Sequence, residues 1–205
     1  MNIHEINEKI STGETLTTAE VNYYLKSLNE DINKKFGLDF NIMQCQEVSQ
    51  RICFFYTTNF DEKNFKSVAF NNTDIDIYYL THFSTFLKFK TDKGYKWFVV
   101  DPTGIQFNTD SYPMGQDKTI NIKDYLNENQ KALLESLKNN GYFELTSRNL
   151  IDYVNIFVDA LKYNGYDISK LAIHKKLDDF CETHNITFQD DLKKKTKEIQ
   201  GKSIN

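Results

Sequence analysis

Residues 81–107 read THFSTFLKFKTDKGYKWFVVDPTGIQF, and this stretch decides the fold. Its two flanks are rich in Phe, Thr, Leu and Val, the side chains that suit a half-buried pleated surface. Between them, Thr91-Asp92-Lys93-Gly94 has the composition of a turn. With 91–94 as the loop, Lys90 faces Tyr95 and Asp101 faces Ser84. His82 then lies two positions from Asp101 on the neighbouring strand, a diagonal separation of about 7–8 Å at the backbone. The upstream strand extends back through IDIYYL to residue 75. The downstream strand, KWFVVD, stops at Pro102, which has no N–H for a sheet ladder.

Upstream of the hairpin the period is helical. Val21, Tyr24, Leu25, Leu28 and Ile32 recur at three-and-four spacing within 17–36. Thr17 with Glu20 forms a capping box at one end, and Gly37 supplies the stop at the other. After LDFNIMQ a second helix is expected over 45–57, opened by Cys45 and carrying Cys53 two turns along the same side. Residues 58–74 are polar and read as a loop with a short helix or strand at 64–70. Downstream, a further short strand is expected near 104–108 or 118–122. Helices follow from about 122 to Asn139-Asn140-Gly141 and from Leu150 to Asn164-Gly165, then near 168–184 and 188–200. The expected organisation is one α+β domain over 1–205. Its core, at about 17–122, packs a helix that opens on Cys45 against an antiparallel sheet, and a helical C-terminal lobe occupies about 123–200.

Composition narrows the function. A chain of 205 residues with 40% hydrophobic and 14% aromatic content can bury one good-sized core. The formal charge of −4 provides no electrostatic footprint for nucleic acid. Lys193, Lys194, Lys195 and Lys197 sit beside Asp190 and Asp191 and read as a solvated helix end. No uncharged stretch approaches membrane-spanning length, and residues 1–16 contain no apolar signal segment, so a soluble protein is expected. Three cysteines (45, 53, 181) without CxxC spacing favour reduced thiols and a reducing compartment. His174 and His184 flank Cys181 without further ligands, and neither a metal nor a cofactor is expected.

Cys45, His82 and Asp101 form the candidate site. A thiol is a poor nucleophile until it ionises, and both a helix N-terminus and a neighbouring imidazolium favour the thiolate. A carboxylate behind the imidazole fixes its tautomer and orientation while the ring moves the proton. The N–H groups of Cys45 and Gln46, at the helix start, suit a developing oxyanion. Each residue taken alone has an ordinary reading: a buried small hydrophobe, a hydrogen-bonded core histidine, a turn before proline. Cys53, between Ile52 and Phe54, fits the first of these. The order Cys, His on one strand, Asp ending the next is what favours a site.

In that order, and in the segment WFVVDPTGIQF (97–107), the chain resembles the papain-like and transglutaminase-like superfamily. That segment is similar to the aspartate strand of papain-fold bacterial toxin and effector domains, some of which deamidate glutamine side chains while others are proteases. The resemblance spans residues 38–108. It implies Cys45 as nucleophile, His82 as general base and acid, and Asp101 as orienting residue, with Trp97, Thr103 and Gln106 beside them. Papain-like proteases carry an oxyanion-hole glutamine several residues before the cysteine. Here Gln44 is adjacent to it and Asn41 four residues before, and both stand as candidates with Gln46. The glycine that often precedes such a cysteine is absent.

The expected activity is therefore a cysteine-dependent amidohydrolase acting on a protein substrate, as glutamine deamidase or protease. The setting implied is the cytoplasm, or a host cell reached by a specialised secretion route. Acyl transfer, as in transglutaminases, and a non-catalytic protein-binding module are the alternatives.

Overall fold

A computed structural model of the chain describes residues 1–37, 45–57, 65–70, 82–104 and 125–163. Expected elements near 75–81, 105–124 and 164–200 lie outside these residues, as do Asn41, Gln44 and Gln106. The described part mixes helix and antiparallel sheet. In chain order the elements are α1 (Ile3–Ser11), α2 (Thr18–Phe36), α3 (Cys45–Thr57), β1 (Phe65–Phe70), β2 (His82–Thr91), β3 (Gly94–Val100), α4 (Glu128–Asn140), β4 (Tyr142–Glu144) and α5 (Ser147–Tyr163). The strands lie in the order β1-β2-β3-β4, every pair antiparallel.

The hairpin has the expected register: Lys90 pairs with Tyr95 and Thr85 with Val100. Thr91 also pairs with Gly94, which trims the loop to Asp92 and Lys93. Gly94 adopts φ 93°, where a side chain would be strained. The Thr91 hydroxyl donates to the Gly94 carbonyl at 2.7 Å and accepts from the Lys93 N–H at 3.2 Å, closing the turn from within.

Alternation along the strands gives the sheet two buried faces. Leu87 and Phe89 of β2, with Phe98 and Val100 of β3, join Ile6 of α1, five residues of α2, and Val48 and Ile52 of α3 in one core. The α2 residues are Val21, Tyr24, Leu25, Leu28 and Ile32, the stripe read from the sequence. Burying each such side chain contributes roughly 1.5–3 kcal/mol. Thr17 and Glu20 make both bonds of the capping box, and Gly37 ends the helix with its N–H on the Asn33 carbonyl.

On the opposite face, Phe86 and Val99 are buried together with Phe143 of β4, whose ring meets Tyr153 of α5 edge-on at 5.3 Å. Asn127 and Gln130 cap the start of α4, which places that start at Glu128 rather than near 122. Gly141, at φ 76°, takes the left-handed position at its end. Its missing Cβ matters twice over, because a methyl there would collide with the Asn29 side chain of α2. The chain then runs straight into β4, so the C-terminal part contributes a strand to the same sheet. No helix among the described residues is long and apolar enough to cross a membrane.

Candidate functional site

Asp101 is the fixed point of the site. It follows β3 and opens a single helical turn over 102–104. Its N–H donates to the Gly141 carbonyl at 2.9 Å, and its own carbonyl accepts from the Gly104 N–H at 3.1 Å. The end of β3 is thereby tied to the end of α4. Gly104 is required by close approach: an added Cβ would lie 2.6 Å from Leu137 Cδ1 and 2.7 Å from Asp101 Oδ2.

The Asp101 carboxylate is 1% exposed and accepts on both oxygens. Thr103 Oγ1 donates to Oδ1 at 2.7 Å. On Oδ2 two groups converge, His82 Nε2 at 2.8 Å and the Tyr153 hydroxyl at 2.5 Å. The Tyr153 oxygen also lies 3.2 Å from His82 Nε2. Strand alternation places His82 on the same pleat face as Ser84, just beyond the Thr85–Val100 pair that precedes Asp101.

Cys45, the first residue of α3, is buried and lies close enough to His82 for its side chain to act on the imidazole. The three residues singled out from the sequence thus lie together, from three separate segments. Thr103 joins them directly. Trp97 is buried two pleats along β3 from Asp101, with Lys88 Nζ 5.7 Å from its ring centre, a cation–π arrangement. Gln46 lies in the first turn of α3, next to Cys45.

Electrostatics follow from burial and pairing. Burial opposes a charge on His82, yet the Asp101 carboxylate, and after it the Cys45 side chain, hold the imidazole up to about 9. Burial would raise the Asp101 carboxyl, but the facing imidazolium and the donors His82, Tyr153 and Thr103 keep it below its usual range. The Tyr153 phenol is pushed well above its ordinary value, by burial and then by the Asp101 charge. The Ser84 hydroxyl works the other way from close by, although it is buried with no hydrogen bond of good geometry among the described residues. Near neutral pH the arrangement is therefore an imidazolium–carboxylate pair with a protonated phenol at its back. Among the described residues no cluster of three or more His, Cys, Asp or Glu could hold a metal ion.

Tyr153 is the residue that sequence reasoning missed. It lies in the helix read from Leu150, Val154 and Leu161, where an aromatic side chain is ordinary core material. The order Cys-His-Asp points to no fourth member 52 residues further on. Only the tertiary packing of α5 against β4 reveals it.

No protein-family model, curated protein or solved structure matches this chain.

Proposed function

We propose that the protein is a cysteine-dependent amidohydrolase of the bacterial effector or toxin kind, acting on a protein substrate as a glutamine deamidase or a protease. In this reading α3 is the nucleophile helix of a papain-like core, packed on the sheet that carries His82 and Asp101. The observation that carries it is the meeting of Cys45, His82 and Asp101 in one buried cluster, with the imidazole raised and the carboxylate fully hydrogen-bonded.

The chemistry follows from the geometry. Asp101 engages Nε2, so Nδ1 serves the thiol. In the attacking form Cys45 is a thiolate paired with the His82 imidazolium, and its sulfur adds to a carboxamide carbon. As the tetrahedral intermediate collapses, His82 gives its proton to the departing nitrogen, and ammonia or an amine leaves a thioester on Cys45. His82, now neutral, takes a proton from water as its oxygen attacks the thioester. The carboxylic acid departs and the starting pair is restored. The N–H groups of Cys45 and Gln46, in the first turn of α3, lack intrahelical acceptors and suit the oxyanion.

The test is intact-mass comparison of candidate protein substrates treated with wild type and with Cys45→Ser. A gain of about one mass unit is deamidation, fragments are proteolysis and a larger gain is transfer to an amine. Substrate masses that change equally with both proteins would refute a thiol enzyme.

A further inference from the structure

We infer that Tyr153 is a positioning residue of this site, acting through Asp101. The inference rests on the reading of Cys45, His82 and Asp101 as a thiol-enzyme site, and adds a member supplied by α5. A phenol has one proton, and at 2.5 Å it belongs to the bond with Oδ2. At the 3.2 Å contact with His82 Nε2 the phenol oxygen is therefore the acceptor, sharing the ring N–H with the carboxylate. Thr103 holds Oδ1 at 2.7 Å, so donors on both oxygens stop the carboxylate from rotating away from the imidazole. The phenol is itself held by its ring contacts, edge-on to Phe143 at 5.3 Å and to His82 at 6.5 Å. Its raised pKa keeps it a donor throughout the working pH range.

The consequence concerns the proton on His82. Among the described residues, the charged and titratable groups facing that ring are Asp101 from the end of β3, Cys45 from α3 and Tyr153 from α5. When His82 releases its proton, Asp101 is left as a buried carboxylate without its counter-charge. Thr103 and Tyr153 then carry its stabilisation. A hydrogen bond to a charged group is stronger than one between neutral partners, and it strengthens further as the carboxylate loses its imidazolium. Tyr153 thus eases proton release from His82 to the leaving nitrogen, while keeping the ring aligned.

The experiment is an NMR titration of the His82 ring in Cys45→Ala, with and without Tyr153→Phe. The phenylalanine keeps the ring packing and removes the hydroxyl. The His82 midpoint is expected to move up by about one pH unit. A midpoint that stays in place or moves down overturns the inference. Should the phenylalanine variant not fold, the wild-type proton spectrum decides. A slowly exchanging phenolic proton with a nuclear Overhauser contact to the His82 ring supports the inference, and its absence overturns it. His82-dependent alkylation of Cys45 in the wild type separates the two readings. Alkylation without the midpoint shift sinks Tyr153 alone, whereas the shift without such alkylation sinks the thiol enzyme and leaves the Tyr153–Asp101–His82 linkage standing.

Discussion

Ser49 and Thr85 meet through a buried hydroxyl–hydroxyl hydrogen bond of 2.8 Å. The Thr85 hydroxyl also donates to the Ser49 carbonyl at 3.3 Å, which makes the serine the donor in the shorter bond. Ser49 is one turn beyond Cys45 on α3, and Thr85 is three residues beyond His82 on β2. This pair clamps the helix that carries the thiol to the strand that carries the imidazole.

Removing the serine hydroxyl tests the clamp. Ser49→Ala leaves Thr85 Oγ1 buried without its donor and is expected to cost about 1–2 kcal/mol in urea unfolding. Ser49→Ala with Thr85→Val should lose less than the sum of the two single changes, since either single change already breaks the shared hydroxyl–hydroxyl bond. Strict additivity would show that the two hydroxyls do not act together.

Reactivity should single out one thiol. Cys45 is expected to react with iodoacetamide near neutral pH at least ~10-fold faster than Cys53 or Cys181, because it faces the His82 imidazolium. His82→Ala should bring the three rates together. Peptide mapping of the labelled chain reads this directly, and equal slow labelling of all three in the wild type favours a binding module.

The His82–Asp101 pair also makes stability depend on pH. The His82 value rises from 6.5 to about 9 on folding. Its contribution is complete below 6.5 and is lost as pH climbs through about 9, an effect on the order of 3 kcal/mol. The Asp101 value is depressed from 3.8, so its contribution is present above 3.8 and is lost as pH falls through the folded value. Urea midpoints should therefore decline on the alkaline side in the wild type. In His82→Gln that side should be flatter. Parallel curves for the two proteins would exclude the ion pair as the cause.

Gly104→Ala should damage the site more than its size suggests. The new methyl would press on Leu137 Cδ1 and on Asp101 Oδ2. Relief requires moving either the α4 contact or the carboxylate, with an expected loss of about 1–3 kcal/mol and slower Cys45 alkylation. Unchanged unfolding and unchanged labelling would mean that the turn over 102–104 yields freely.

Local signals were readable wherever the chemistry was local. The Thr17–Glu20 box, the Gly37 and Gly141 stops, the start of α3 at Cys45 and the hairpin register each depend on residues within a few positions. That register was enough to bring His82 beside Asp101. Asn2 capping α1, with Ile3, Ile6 and Ile10 at helical spacing, was an available signal that the sequence reading left unused. β4 escaped because three residues carry no period. Tyr153 escaped because its partner is a carboxylate on another element, and helical spacing says nothing of what faces it.

The bonds that build the site span 19, 36 and 52 residues. Contacts of that reach form late, since each closes a long loop before anything rewards the lost chain entropy. A chain that is still unfolded, or newly made and incomplete, exposes Cys45 as an ordinary thiol with no imidazole at hand. If Cys45 is the proposed nucleophile, its reactivity is acquired on folding, and the rate at which it appears measures how fast these distant segments are brought together.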